Sequence, residues 1–183
     1  MDYLRKKYKI LISVISILFV GIMTVDTGLP ENSEPEIENL KAAFIYNFTK
    51  YITWPDLENS DAFRIGVIGD SKIAKSLGQI ASKKQVNNKP IKVYRIHTVQ
   101  DFRGCQILFV SSSEKDQISE ILSALGQKTI LTIGDTPGFC ERGIMINFFI
   151  QGGMVKFEMN STRLESVGLK ASSQLQKLAR IVE

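Results

Sequence analysis

The sequence predicts an α/β sandwich with a mixed, mostly parallel sheet that ends in an antiparallel hairpin. Three observations carry this prediction. Apolar, β-branched runs at 63–68, 91–96, 107–110 and 129–133 alternate with helically spaced segments at 72–82 and 115–125, which is the pattern of strand–helix–strand units. The run Ile107-Leu108-Phe109-Val110 has no polar position, as a strand buried on both faces requires. Segments 144–150 and 154–159 flank Gln151-Gly152-Gly153, a glycine turn between two strands.

The elements follow in order. Residues 1–9 carry Arg5, Lys6, Lys7 and Lys9 against Asp2, and an apolar run occupies 10–23. A basic patch followed by a short apolar stretch is the layout of a secretory signal. The run is shorter than the roughly 20 residues a membrane-spanning helix needs, and 25–28 lacks a small-x-small cleavage pattern. A cleaved signal peptide, an uncleaved N-terminal membrane anchor and a buried core helix all remain open for 1–27. The first two export the rest of the chain, because the flanking cations stay cytoplasmic.

Residues 28–36 form an acidic linker with Pro30 and Pro35. Ser33 and Glu36 fit a capping box, so the folded domain is expected from about residue 37 to 183. Ile37, Leu40, Phe44, Phe48 and Ile52 then recur at helical spacing until Pro55. Two further helices are expected at the C-terminus, 161–169 and 172–182.

The chain has 183 residues, 44% of them hydrophobic and 23% charged, an ordinary globular balance that excludes wholesale disorder and coiled coils. Two Cys exclude a four-thiolate zinc site, and one His, His97, excludes multi-His chemistry. No G-x-S-x-G, phosphate loop or H-E-x-x-H occurs. His97 reads as a surface or turn histidine. No cofactor, metal or catalytic group is expected.

Three features remain as candidate sites. Ile68-Gly69-Asp70 and Ile133-Gly134-Asp135 each follow an expected strand, with Ser111 after a third. Ligands of open α/β sheets bind at such carboxyl ends, so Asp70, Ser111 and Asp135 mark a strand-end pocket. The simpler reading is that Asp70 caps a helix and Asp135 organises a turn. Lys72, Lys75, Lys83, Lys84, Lys89, Lys92 and Arg95 fall in one acid-free stretch. That stretch is either a solvated surface or a docking face for an acidic partner or anionic surface. Export removes nucleic acid as a partner, and Tyr94 alone supplies no stacking groove. Cys105 and Cys140 would meet an oxidising space, where paired cysteines predominate. A bond between them would contribute about 3–4 kcal/mol on the chain-entropy account. Two free buried thiols and intermolecular pairing stand beside it.

Several blocks together resemble the YfiR-like (YfiR/HmsC-like) family of periplasmic regulators. They are Leu40-Lys41-Ala42-Ala43-Phe44-Ile45-Tyr46-Asn47-Phe48-Thr49-Lys50-Tyr51-Ile52-Thr53-Trp54-Pro55, Ile65-Gly66-Val67-Ile68-Gly69-Asp70, Cys105-Gln106-Ile107-Leu108-Phe109-Val110, Leu131-Thr132-Ile133-Gly134-Asp135 with Gly138-Phe139-Cys140, Gly143-Ile144-Met145-Ile146-Asn147-Phe148, and Gly168-Leu169 with Ser172-Ser173-Gln174-Leu175 and Leu178-Ala179. The resemblance implies a compact α/β sandwich, often dimeric, without enzymatic activity. It implies restraint of a membrane-bound diguanylate cyclase through that enzyme's periplasmic domain, with lower cyclic-di-GMP and less biofilm. It also implies an outer-membrane lipoprotein as a further partner and cysteine oxidation as a control of stability. Better-known members carry more cysteines, whereas Asn147 here stands near where a partner for Cys140 would be expected. The alternative is a periplasmic ligand-binding or sensor module working with a sensor kinase or an outer-membrane receptor.

Overall fold

The computed structural model describes residues 33–182 except Asp56 and Arg103. The expected export segment at 1–27 and most of the linker lie outside the described residues. The first helix, α1 (Glu34–Tyr51), begins two residues ahead of the expected capping box Glu. Ser33 stands at its N-cap in extended conformation, but its side chain caps nothing, so the capping box does not form. Pro35 in the first turn and the acids Glu34 and Glu36 there open the helix instead, by a preset φ and by favourable charge at the positive helix end.

Eight strands form one sheet. In chain order they are β2 (Phe63–Ile68), β3 (Gln85–Val86), β4 (Lys89–Ile96), β5 (Ile107–Val110), β6 (Leu131–Gly134), β7 (Ile146–Gln151), β8 (Met154–Asn160) and β10 (Arg180–Val182). Their order across the sheet is β10-β8-β7-β6-β5-β2-β4-β3. The run from β7 through β6, β5 and β2 to β4 is parallel, whereas β8 and β3 pair antiparallel. Two residues after α1, β1 (Ile52–Thr53), pair with β9 (Lys170–Ala171) as a separate ribbon. That pairing pulls Ile52 out of the helix its spacing suggested.

Alternation sorts each central strand onto two faces. Phe63, Ile65, Val67, Ile107, Phe109, Leu131 and Ile133 face a large core closed by α1, by α2 (Ile73–Ala81) and by the C-terminal helices α4 (Ser161–Ser166) and α5 (Ser173–Leu178). Ile68, Leu108 and Val110 face a second core closed by α3 (Ile118–Leu125) and the 135–145 loop. The domain is thus a three-layer sandwich, as the alternation of elements predicted. In the first core, Phe48 meets Phe157 edge-on at 5.0 Å and stacks on Phe148 at 6.0 Å. Trp54 packs edge-on against Phe63 at 5.2 Å and donates its indole N–H to the Gln106 carbonyl at 3.0 Å. The Trp54-Pro55 pair therefore ties the end of α1 to the start of β5.

Three local expectations change. The segment after Ser112 forms a short 3-10 turn over Ser112–Glu114 before α3, because the Ser111 hydroxyl accepts from the Ser113 N–H. The last helix ends at Leu178, not 182. Arg180, Ile181 and Val182 instead extend the sheet parallel to β8, where β-branched residues fit a pleated edge and Arg180 reaches Glu158. Strands β1, β3 and β9 have two residues each and leave no period to read. The hairpin forms as expected, with Gly152 and Gly153 at φ 59° and 72°. Two successive positive φ values are the signature of a type I′ turn and suit glycine.

Phe48 is 1% exposed and sits among three other aromatic rings. Phe48→Ala should destabilise the domain by roughly 3–5 kcal/mol through the cavity it leaves. Urea denaturation should show this as a lower midpoint with an unchanged slope.

Candidate functional site

The parallel strands β4, β2, β5 and β6 end at the same edge, so the residues that follow them are brought together by topology. The crossover from β2 to β4 runs through α2 on one face, and that from β5 to β6 runs through α3 on the other. Strand order therefore reverses between β2 and β5. Crevices for ligands in open α/β sheets form at such a reversal.

A cleft of about 560 Å³ lies there, lined by Gly69, Asp70, Arg95, His97, Glu114 and Glu120 among others. Serines organise its floor. The Ser111 hydroxyl donates to the Asp70 carbonyl at 2.6 Å, and Ser113 Oγ accepts from the Asp70 N–H at 2.9 Å and donates to Glu114 at 3.0 Å. A Cβ at Gly69 would collide with Ser113 and Glu114. The loop after β2 thus lies directly on the loop after β5.

The three residues expected to share a pocket part company here. Asp70 lines the cleft, but its side chain does not cap α2, whose N-cap is Lys72 with no side-chain bond. The Ser111 hydroxyl is used on the Asp70 backbone. Asp135 turns to the α1 side, where its carboxylate accepts from Lys41 Nζ at 2.7 Å. Lys41 also donates to Glu38 at 2.8 Å. Among the described residues, Glu38 Oε2, Asp135 Oδ1 and Thr136 Oγ1 are buried without a hydrogen-bond partner. Burial would lower the Lys41 pKa, but the hydrogen bonds and charges of Asp135 and then Glu38 outweigh it and hold the ammonium above the ordinary lysine value.

Sequence reasoning passed over Glu38 and Lys41. Their signal is Lys41 standing between Ile37 and Ile45 on the helix face that otherwise carries the core. It also passed over a second buried polar chain. Asn147 accepts from the Thr136 N–H at 3.1 Å and donates to Glu158 at 3.1 Å, and Glu158 pairs with Arg180. Glu158 on β8 is 3% exposed.

Cys105 and Cys140 are both free and buried, the second of the three arrangements the sequence left open. The Cys105 sulfur lies against Gly66 in β2, whereas the Cys140 carbonyl accepts from Asn160 at the end of β8. Three strands separate β2 from β8, and a disulfide needs Cα atoms within about 7 Å. Burial pushes both thiols up, and the neighbouring charges of Glu158 and Glu141 help carry Cys140 to about 12.

The basic residues spread over three places. Lys72 pairs with Glu34, Lys92 with Asp61, and Lys89 donates to the carbonyls of Glu58 and Ser60. Lys75, Lys83, Lys84 and Arg95 are exposed and form no ion pair among the described residues. Among the described residues no group of His, Cys, Asp and Glu is arranged to hold a metal ion, and no helix is long and apolar enough to cross a membrane.

Fold and strand-end cleft together define a doubly wound α/β domain of the kind that presents loops at one sheet edge. The chain belongs to the YfiR/HmsC-like family, whose model matches residues 38–180. That family comprises periplasmic regulators of diguanylate cyclases and is regulatory rather than catalytic. No curated protein matches the chain. Among solved structures, a conserved domain protein from Vibrio cholerae O1 biovar El Tor is similar at 12% identity and TM-score 0.55. An ABC domain from Streptococcus pneumoniae, solved in complex with L-Trp, is similar at 9% identity and TM-score 0.54. Each likeness covers 80% of this chain and 60% of the other. The chain therefore spans about 60% of the length of those proteins, and the likeness is one of fold.

Lys41→Ala leaves the buried Glu38 and the part-buried Asp135 carboxylates without their shared cation. It should cost roughly 3–5 kcal/mol, and Lys41→Met combined with Glu38→Gln and Asp135→Asn should recover most of that in thermal melts. Because the Lys41 pKa is raised on folding, its contribution is complete below the unfolded lysine value near 10.5 and is lost as pH rises through the higher folded value. Wild-type stability should therefore hold through neutrality and fall above about pH 10.5, a fall that Lys41→Met lacks.

The thiols give a separate test. Native protein should react negligibly with a disulfide reagent at pH 8, and both thiols should titrate in guanidinium. Absence of thiols in guanidinium would mean that Cys105 and Cys140 are bonded after all.

Proposed function

We propose that this protein is an exported, non-enzymatic regulator that restrains a membrane-bound diguanylate cyclase by contacting its periplasmic sensor domain. The result is lower cyclic-di-GMP and less biofilm. The observation that carries the reading is the family match across residues 38–180, which takes in nearly the whole described domain. The basic cluster and apolar run at 1–23 support export. An outer-membrane lipoprotein that sequesters the regulator, and a homodimeric regulator, belong to the same reading.

The strand-end cleft favours a second reading, a ligand-binding or sensor module serving a sensor kinase or outer-membrane receptor. Its mixed lining of Asp70, Arg95, His97 and Glu114 suits a small polar molecule with charges of both signs.

Deleting the gene should raise cyclic-di-GMP and surface attachment, and re-expression of the full chain should reverse both. Unchanged cyclic-di-GMP across several growth conditions would overturn the regulatory reading. Stabilisation of the purified protein by a small metabolite, abolished by Asp70→Ala, would favour the second.

A further inference from the structure

Helices α1 and α2 pack side by side against the sheet, and a row of shallow hollows runs along the seam between them. At one end it is lined by Asn39, Ser76, Gln79, Lys72, Lys75 and Arg95, within a cleft of about 460 Å³. It continues past Asn39, Ala43, Asn47, Gln79, Ile80 and Lys83. At the far end Lys83 and Lys84 reach Gln85 and Pro90. Consecutive hollows share lining residues along one line, and the Ser76–Asn39 hydrogen bond spans the seam at 2.8 Å where the first two meet.

Its chemistry is one-sided. The cations Lys75, Lys83, Lys84 and Arg95 border it without ion pairs among the described residues. The acids nearby are mostly engaged: Glu34 by Lys72 and Glu38 by Lys41. Asp70 stands only at the strand-end limit of the groove. Along α1 the wall is Asn39, Ala43 and Asn47, an exposed stripe at spacing four. The short Ala43 lets a chain approach closely. Asn39 and Asn47 spend their carbonyl oxygens on Ser76 and Lys50, which leaves their amide N–H groups unused. Free amide donors above a shallow apolar floor can meet the carbonyls of an extended backbone. Lys75 to Lys83 spans about 12 Å at the helical rise, the length of about four extended residues.

We propose that the α1–α2 groove docks an extended acidic segment of a partner polypeptide, with Lys75, Lys83, Lys84 and Arg95 meeting its carboxylates and Asn39 and Asn47 its backbone. The proposal rests on the regulatory reading for the identity of the partner, and names where on this chain contact is made. A concave, amide-lined seam favours a polypeptide over a membrane, which presents a flat surface and no backbone to bond.

The test uses the exported chain and a fluorescein-labelled eight-residue peptide of alternating Glu and Ser. Anisotropy should show saturable, salt-sensitive binding that weakens by at least about tenfold in K75E/K83E/K84E. The charge-matched control K156E/K170E/K177E, at exposed lysines away from the groove, should stay within about twofold. Circular dichroism melts check that both variants fold. Equal weakening in the two variants, no weakening in the groove variant, no binding of the peptide, or binding of vesicles with 30% phosphatidylglycerol in its place would each overturn the proposal. In cells, the groove variant should fail to lower cyclic-di-GMP in the deletion strain. If deletion raises cyclic-di-GMP and the groove variant restores it fully, the groove assignment falls and the regulatory reading stands. If deletion changes nothing, the regulatory reading falls and the peptide titration alone decides the groove.

Discussion

Three neighbouring strands, β2, β5 and β6, are parallel and buried on both faces, and the rest of the domain follows from that. A strand with two dry faces must be covered twice, so helices have to lie on each side of the sheet. Parallel neighbours also need crossovers, and right-handed crossovers that step in opposite directions across a sheet place their helices on opposite faces. Here α2 carries one step and α3 the other. The reversal between β2 and β5 follows, and with it the cleft at their carboxyl ends. The site is where it is because the centre of the sheet is apolar.

The same constraint explains the buried charges. Helix α1 spans the first core, and its N-terminal half passes over the end of β6. Asp135, the first residue beyond that strand, is largely withdrawn from water and accepts a hydrogen bond from Lys41. On the opposite face the sheet widens past its helical cover, and Asn147, Glu158 and Arg180 satisfy one another under the 135–145 loop. Such networks add little net stability over apolar packing, but removing one member is costly. The first ties α1 to the end of β6, and the second ties β10 to β8.

A rigid sandwich with a preformed cleft and an open interhelical seam fits a protein that acts by contact. Its exposed surface mixes basic groups with apolar side chains such as Met154 and Leu178, whereas both thiols are buried and pushed upward in pKa.

Period and composition are local properties, and they were legible. The spacing of Ile37 through Phe48, the unbroken apolar run 107–110 and the paired glycines at 152 and 153 determined the helix, the buried strand and the hairpin, because each satisfies its backbone and its apolar face nearly on its own. Gly69-Asp70 and Gly134-Asp135 likewise marked two strand ends. What the sequence could not carry were pairings between residues far apart in the chain. Arg180-Ile181-Val182 became a strand only because β8 offered an edge and Glu158 a charge, and Ile52-Thr53 only because Lys170-Ala171 lay alongside. Asp135 left the expected pocket because Lys41, 94 residues away, was the nearer cation. The two cysteines stayed apart for the same reason, since strand order, not spacing in the chain, decides which side chains meet.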